Sequence, residues 1–166
     1  MTTDDGKVLS ITGTLVNTAQ PMSLGERTVS ATYEYLVPNA STYLNGNTSI
    51  EFIDPGYVSK VYLTIYYSYT HDLPSMYLLK SVSGYWIMTD SNARVESATL
   101  VYGCTDLAHV PQTATTSVTN HFNIDTGFDT YIYSDVGVMG CNLTVNYVRG
   151  SSRWSATFTN NLFNNP

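Results

Sequence analysis

Apolar and polar residues alternate with a period of two along most of this chain, and no other feature constrains its fold as tightly. A strand sends successive side chains to opposite faces, so such alternation describes sheets with one buried face each. Leu9, Ile11, Gly13 and Leu15 share a face of the first run, and Val29, Ala31, Tyr33, Tyr35 and Val37 share a face of RTVSATYEYLV. In residues 57–70, Val61, Leu63, Ile65, Tyr67 and Tyr69 fall together. Later runs align Phe128, Thr130 and Ile132, then Cys141, Leu143, Val145 and Tyr147, and last Trp154, Ala156, Phe158 and Leu162. Turn-forming clusters divide the runs at Pro38-Asn39, Asn45-Gly46-Asn47, Asp54-Pro55-Gly56, Ser83-Gly84 and Arg149-Gly150-Ser151.

The last of these predicts a C-terminal hairpin pairing residues 138–148 with 153–162. In SNARVESATLVY the three-residue spacing of Val95, Ala98 and Val101 fits a helix, but alternating Ala98, Leu100 and Tyr102 and the β-branched content favour a strand. HDLPSMYLLKSV is expected to hold a short helical turn. About nine to eleven strands with frequent turns predict an all-β fold: a two-sheet antiparallel β-sandwich, jelly-roll-like or immunoglobulin-like. At 166 residues it is expected to form a single domain over 1–166.

Charged residues make up 12% of the chain, about half the usual share, and lysine occurs only as Lys7, Lys60 and Lys80. With a net charge of −6 and seven scattered basic residues there is no cluster to release counterions from phosphates, which argues against a nucleic-acid partner. No apolar run approaches the ~20 residues of a membrane helix. The opening MTTDDGKVLS lacks the basic and apolar regions of a signal peptide, so the chain is either cytosolic or a mature secreted chain whose signal has been trimmed.

Cys104 and Cys141 favour the second alternative. A disulfide between them, closing a loop of about 38 residues, would contribute roughly 3–4 kcal/mol; two buried free thiols are the other possibility. The sequons at Asn39, Asn47 and Asn142 add nothing, because thirteen asparagines among 40 serines and threonines produce about that many by chance.

No segment carries a catalytic, metal or cofactor signature, and none is assigned. Glycoside hydrolysis needs two facing carboxylates, and Glu34 with Glu96 would serve only if their strands were neighbours. The composition resembles that of small secreted xylanases, without their glutamate motifs. His71, His109 and His121 each have an aspartate close by, yet no spacing gathers them as zinc ligands. Asn123, Asp125 and Asp129 lack the full pattern of a calcium loop and read as an Asx-rich turn. No GxSxG elbow is present.

Tyrosine remains, fourteen in all, four of them within VYLTIYYSYTH. If Val61, Leu63 and Ile65 face inward, Tyr62 and Tyr66 face outward; the same logic exposes Tyr131 and Tyr133 beside Asp129. Tyrosine suits strands and cross-strand pairs, but it also suits contact surfaces, being large and rigid with a polar tip. The expected function is a secreted or cell-surface, non-catalytic module that recognises carbohydrate or a protein through Tyr62, Tyr66, Tyr131, Tyr133 and Asp129. The alternatives are a small polysaccharide hydrolase using the glutamate pair, and a toxin-like or structural subunit that self-assembles.

Overall fold

The computed structural model describes residues 2–3, 13–19, 27–38, 57–70, 76–133 and 135–163, and before Val58 only their backbone. The described residues are all-β, without helix, in two antiparallel sheets. One sheet has the spatial order β1 (Thr2–Thr3), β11 (Ser152–Asn161), β10 (Val138–Arg149), β6 (Arg94–Thr105) and β7 (Gln112–Ser117). The second runs β2 (Gly13–Ala19), β3 (Arg27–Pro38), β4 (Tyr57–Tyr69) and β5 (Met76–Met88), whose far edge is shared by β8 (Phe122–Asp125) and β9 (Ile132–Tyr133). Eight of these strands are six residues or longer.

The period-two pattern does what the sequence predicts of it. Val61, Leu63 and Ile65 are fully buried, and with Leu100, Leu143, Val145, Ala156 and Phe158 of the other sheet they form one apolar cluster. Two buried hydrogen bonds join the sheets across this core. Asn160 Nδ2 donates to the Leu63 carbonyl at 2.9 Å, and the hydroxyls of Ser59 and Tyr147 lie 2.9 Å apart. Tyr67 and Tyr69 lie at the rim of the core, where both rings pack on Tyr77 and Tyr77 meets the edge of Phe163 at 4.8 Å. The C-terminal hairpin forms as expected, with Gly150 supplying the left-handed φ of 59° in its turn.

SNARVESATLVY is strand from Arg94 onward, and HDLPSMYLLKSV is strand β5 over its described part, from Met76. The reason is pairing: Met76 and Tyr77 face Tyr133 and Ile132 on one side, and Tyr77 faces Tyr69 on the other. Residues 71–75, and the turns expected at 39, 45–47 and 54–56, lie outside the described residues, as do Leu9, Ile11, Asn39 and Asn47.

Ser83-Gly84 is not a turn but the middle of β5. A Cβ on Gly84 would come within 2.6 Å of the Phe122 ring and 2.8 Å of the Tyr62 carbonyl oxygen, so the glycine marks a close approach inside the sheet. The expected disulfide is absent as well: Cys104 and Cys141 are buried free thiols. Register explains this. Cys104 is opposite Met139, and Cys141 is opposite Tyr102, so the two are diagonal neighbours on one face. Diagonal Cβ atoms are ~7 Å apart, whereas a disulfide needs about 4 Å.

Gly84→Ala is expected to cost about 1–3 kcal/mol, read as a lower denaturation midpoint at unchanged m-value. Intact mass should be the same with and without reductant, and both thiols should react with an aromatic disulfide reagent only after unfolding.

Candidate functional site

With Val61, Leu63 and Ile65 in the core, Tyr62, Thr64 and Tyr66 lie on the outer face of the second sheet. Tyr62 is the Cα partner of Tyr85 on β5, and their rings stack at 4.5 Å and 12°. The imidazole of His121 continues the stack, 5.4 Å from Tyr85 and 5° from parallel. The three side chains thus form a row across β4, β5 and the entry to β8.

The position of His121 is built locally. The Asn120 side chain acts as a strand partner to Trp86, its Oδ1 accepting the Trp86 N–H at 2.8 Å and its Nδ2 donating to the Trp86 carbonyl at 2.9 Å. His121 then adopts a φ of 61°, a left-handed conformation that costs a non-glycine residue about 1 kcal/mol. That backbone bend turns the ring over Tyr85. Further along the face, Tyr66 is 36% exposed and Ile87, opposite Lys60, is 48% exposed. Thr64, Ser68 and Leu78 on the same side are buried, so the accessible area is a strip around the row rather than the whole face.

The stacking decides what the row can do. Tyr62 and Tyr85 cover one another's inner faces, and His121 covers the second face of Tyr85. A sugar ring binds an aromatic through an open face, and between its two ends the row leaves no such face. What it presents between them is a line of ring edges and polar tips, suited to flat packing and hydrogen bonding with a protein.

Tyr131, Tyr133 and Asp129 belong to another part of the molecule. Tyr133 lies opposite Met76, nine positions along β5 from Tyr85, which is roughly 25–30 Å of strand. Its N–H donates to Asp106 Oδ2 at 2.8 Å and its ring is 5.5 Å from that of His109. Asp129 serves its own loop: its N–H donates to Gln112 Oε1 at 3.0 Å, and its Oδ1 accepts the Thr130 hydroxyl. Tyr131 is half-buried beside it. The five residues expected to act together therefore occupy two separate surfaces. Tyr85 and His121 went unrecognised because Ser83-Gly84 read as a turn, which left Tyr85 without a face, and because a positive φ leaves no trace in alternation.

Glu34 is opposite Tyr62 in the second sheet, whereas Glu96 lies on β6 in the first, so the pair does not flank one cleft. Glu96 is the extra residue of a bulge between β6 and β10, and its carboxylate is 3.4 Å from Arg153 Nε at the surface. Asp125 accepts the Gly127 N–H in an Asx turn. Among the described residues no three His, Cys, Asp or Glu side chains converge as a metal site, and no helix is long and apolar enough to cross a membrane.

The most constrained charge is Asp106, whose carboxylate is fully buried. Burial alone would raise its pKa, but it accepts the N–H groups of Tyr133, Ala108 and His109 and is bonded by His109 Nδ1 at 2.9 Å. These donors prevail and hold the carboxyl at about 2. A carboxyl depressed in the folded state stabilises above its unfolded value near 4 and loses that contribution as pH falls toward 2. Asp106→Asn should therefore lower the thermal midpoint at neutral pH and reduce the decline of stability between about pH 4 and 2, measured by thermal melts across that range. No family model matches this chain, and no curated protein or solved structure matches it.

Proposed function

We propose that this chain is a β-sandwich, jelly-roll-like or immunoglobulin-like, that is secreted or displayed at a cell surface and binds a protein partner without catalysing a reaction. The observation that carries the reading is the row Tyr62–Tyr85–His121, half-exposed to exposed across β4, β5 and the entry to β8 and held by a left-handed backbone at His121. Tyrosine on a rigid scaffold loses little conformational entropy on binding and dominates many protein interfaces. Tyr66 and Ile87 extend the contact strip. Among the ligand classes expected from sequence, a protein fits better than a carbohydrate, because the rings cover one another's faces. The hydrolase alternative has its two glutamates in different sheets. Placement outside the cell rests on the polar, lysine-poor composition alone, since the cysteines are unbonded.

Screening the chain against a library of cell-surface ectodomains and a glycan array tests this. A protein should bind, and Tyr62→Ala or Tyr85→Ala should weaken it at least tenfold, about 1.4 kcal/mol, while Asp129→Ala leaves it unchanged. A glycan bound with no dependence on either tyrosine would refute the reading.

A further inference from the structure

The edge of the first sheet at β7 carries backbone groups that the chain does not use. β7 pairs with β6 along its whole length and with no other described strand. Register and one flanking hydrogen bond fix which way each of its backbone groups points. The Val118 N–H donates to the Ala98 carbonyl at 3.0 Å, one step beyond the Thr99–Ser117 pair. Bonded and non-bonded pairs alternate along an antiparallel ladder, so Thr116, Ala114 and Gln112 also turn their N–H and carbonyl groups toward β6. Those of Thr113, Thr115 and Ser117 turn away from it. Among the described residues none pairs with them in a ladder. The Ser117 carbonyl accepts only the Thr116 hydroxyl, at 3.3 Å, and keeps its second lone pair.

Sheets commonly blunt such an edge with a charge, a proline or a bulge. β7 reads QTATTS and has none of these: it is six residues long, uncharged, and its register with β6 runs without a shift. It is also held in place from behind. Gln112 Nε2 donates to the Thr130 carbonyl at 2.8 Å, its Oε1 accepts the N–H groups of Asp129 and Thr130, and Ala114 packs against the core. Thr113, Thr115 and Ser117 are exposed, so another strand can approach them.

The edge is complementary to itself, and this identifies its partner. Two copies related by a two-fold axis at Thr115 set Thr115 of one against Thr115 of the other, and Thr113 against Ser117. Each such pair exchanges two backbone hydrogen bonds, so this one register satisfies every outward N–H and carbonyl of β7. The exposed side chains then meet as Thr–Thr and Thr–Ser, which are favoured across strands. Charge agrees with this pairing. The chain carries −6, yet no Asp, Glu, Lys or Arg occurs from Leu107 to Asn120, and Thr99, Val101 and Gly103 alongside on β6 are neutral. We propose that β7 is a self-association edge, through which two copies join their five-stranded sheets into one ten-stranded sheet. A six-residue strand pair covers less than the roughly 800 Å² per partner of a stable interface, so the dimer is reversible, with a Kd of about 0.1 mM. This goes beyond the protein-binding strip and does not rest on it, because that strip lies on the second sheet.

Sedimentation equilibrium of the full chain between about 10 µM and 1 mM tests the proposal. The average mass should climb from one chain toward two and no further. Thr115→Pro removes the N–H at the axis and none that β6 uses, and should weaken association at least tenfold. Thr115→Lys and Thr115→Glu each place like charges across the axis and should weaken it as much, with an unchanged melting temperature because the side chain is exposed. Mixed in equal amounts, the Lys and Glu variants should dimerise again, each with the other. Tyr62→Ala and Tyr85→Ala should dimerise as the parent does, which separates this edge from the strip. Association that survives all three changes at Thr115, failure of the mixture to dimerise, or growth beyond two chains overturns the proposal. So does a chain that stays single at 1 mM, which would leave the edge to an extended segment of another protein.

Discussion

Everything this molecule presents outward depends on one burial, the meeting of the inner faces of its two sheets. Val61, Leu63 and Ile65 from one side and Leu143, Val145 and Phe158 from the other are each wholly removed from water, at roughly 1.5–3 kcal/mol per large side chain. Apolar contact is strong but non-directional, and it does not say how one sheet sits over the other. Hydrogen bonds that cross the core do. Asn160 to the Leu63 carbonyl and Ser59 to Tyr147 join residues 97 and 88 apart in sequence. Each contributes only about 1 kcal/mol net, so their effect is to select one alignment more than to add stability. That alignment is what makes the outer faces rigid platforms.

The inner faces were legible because alternation is a local property. A residue's side is known once its neighbours at two positions either way are known, and Val61 to Ile65 and Leu143 to Val145 needed nothing more. Register is not local. Tyr62 meets Tyr85 only because β4 and β5 pair as they do, and Cys104 misses Cys141 by a single two-residue offset between β6 and β10. A sequence reading that sees two cysteines beside strands has no access to that offset. The same limit split the expected site, since Tyr62 with Tyr66 and Tyr131 with Tyr133 obey the same face rule on strands that meet β5 at different places.

Glycine was misread for a related reason. Ser83-Gly84 has the composition of a turn, and the true cause of the glycine, the Phe122 ring and the Tyr62 carbonyl pressing on that spot, lies in strands 20 and more residues away. Packing explains Gly84 completely. It does not explain His121 or Leu107, and the contrast is informative.

At position 121 the backbone demands a positive φ, which glycine would supply without strain. The Asn120 amide would still pair with Trp86, because those hydrogen bonds belong to Asn120 alone. What a histidine adds is the ring over Tyr85, worth about as much as the strain it incurs. At position 107 the Asp106 clamp likewise runs through the backbone and His109, and would form with a serine in place of the leucine. In both places the fold is indifferent to the side chain, and the side chain is large and turned toward solvent. Sequences depart from local preference without a structural return chiefly where the surface meets something else. His121 and Leu107 are therefore positions whose side chains the packing of this chain does not require.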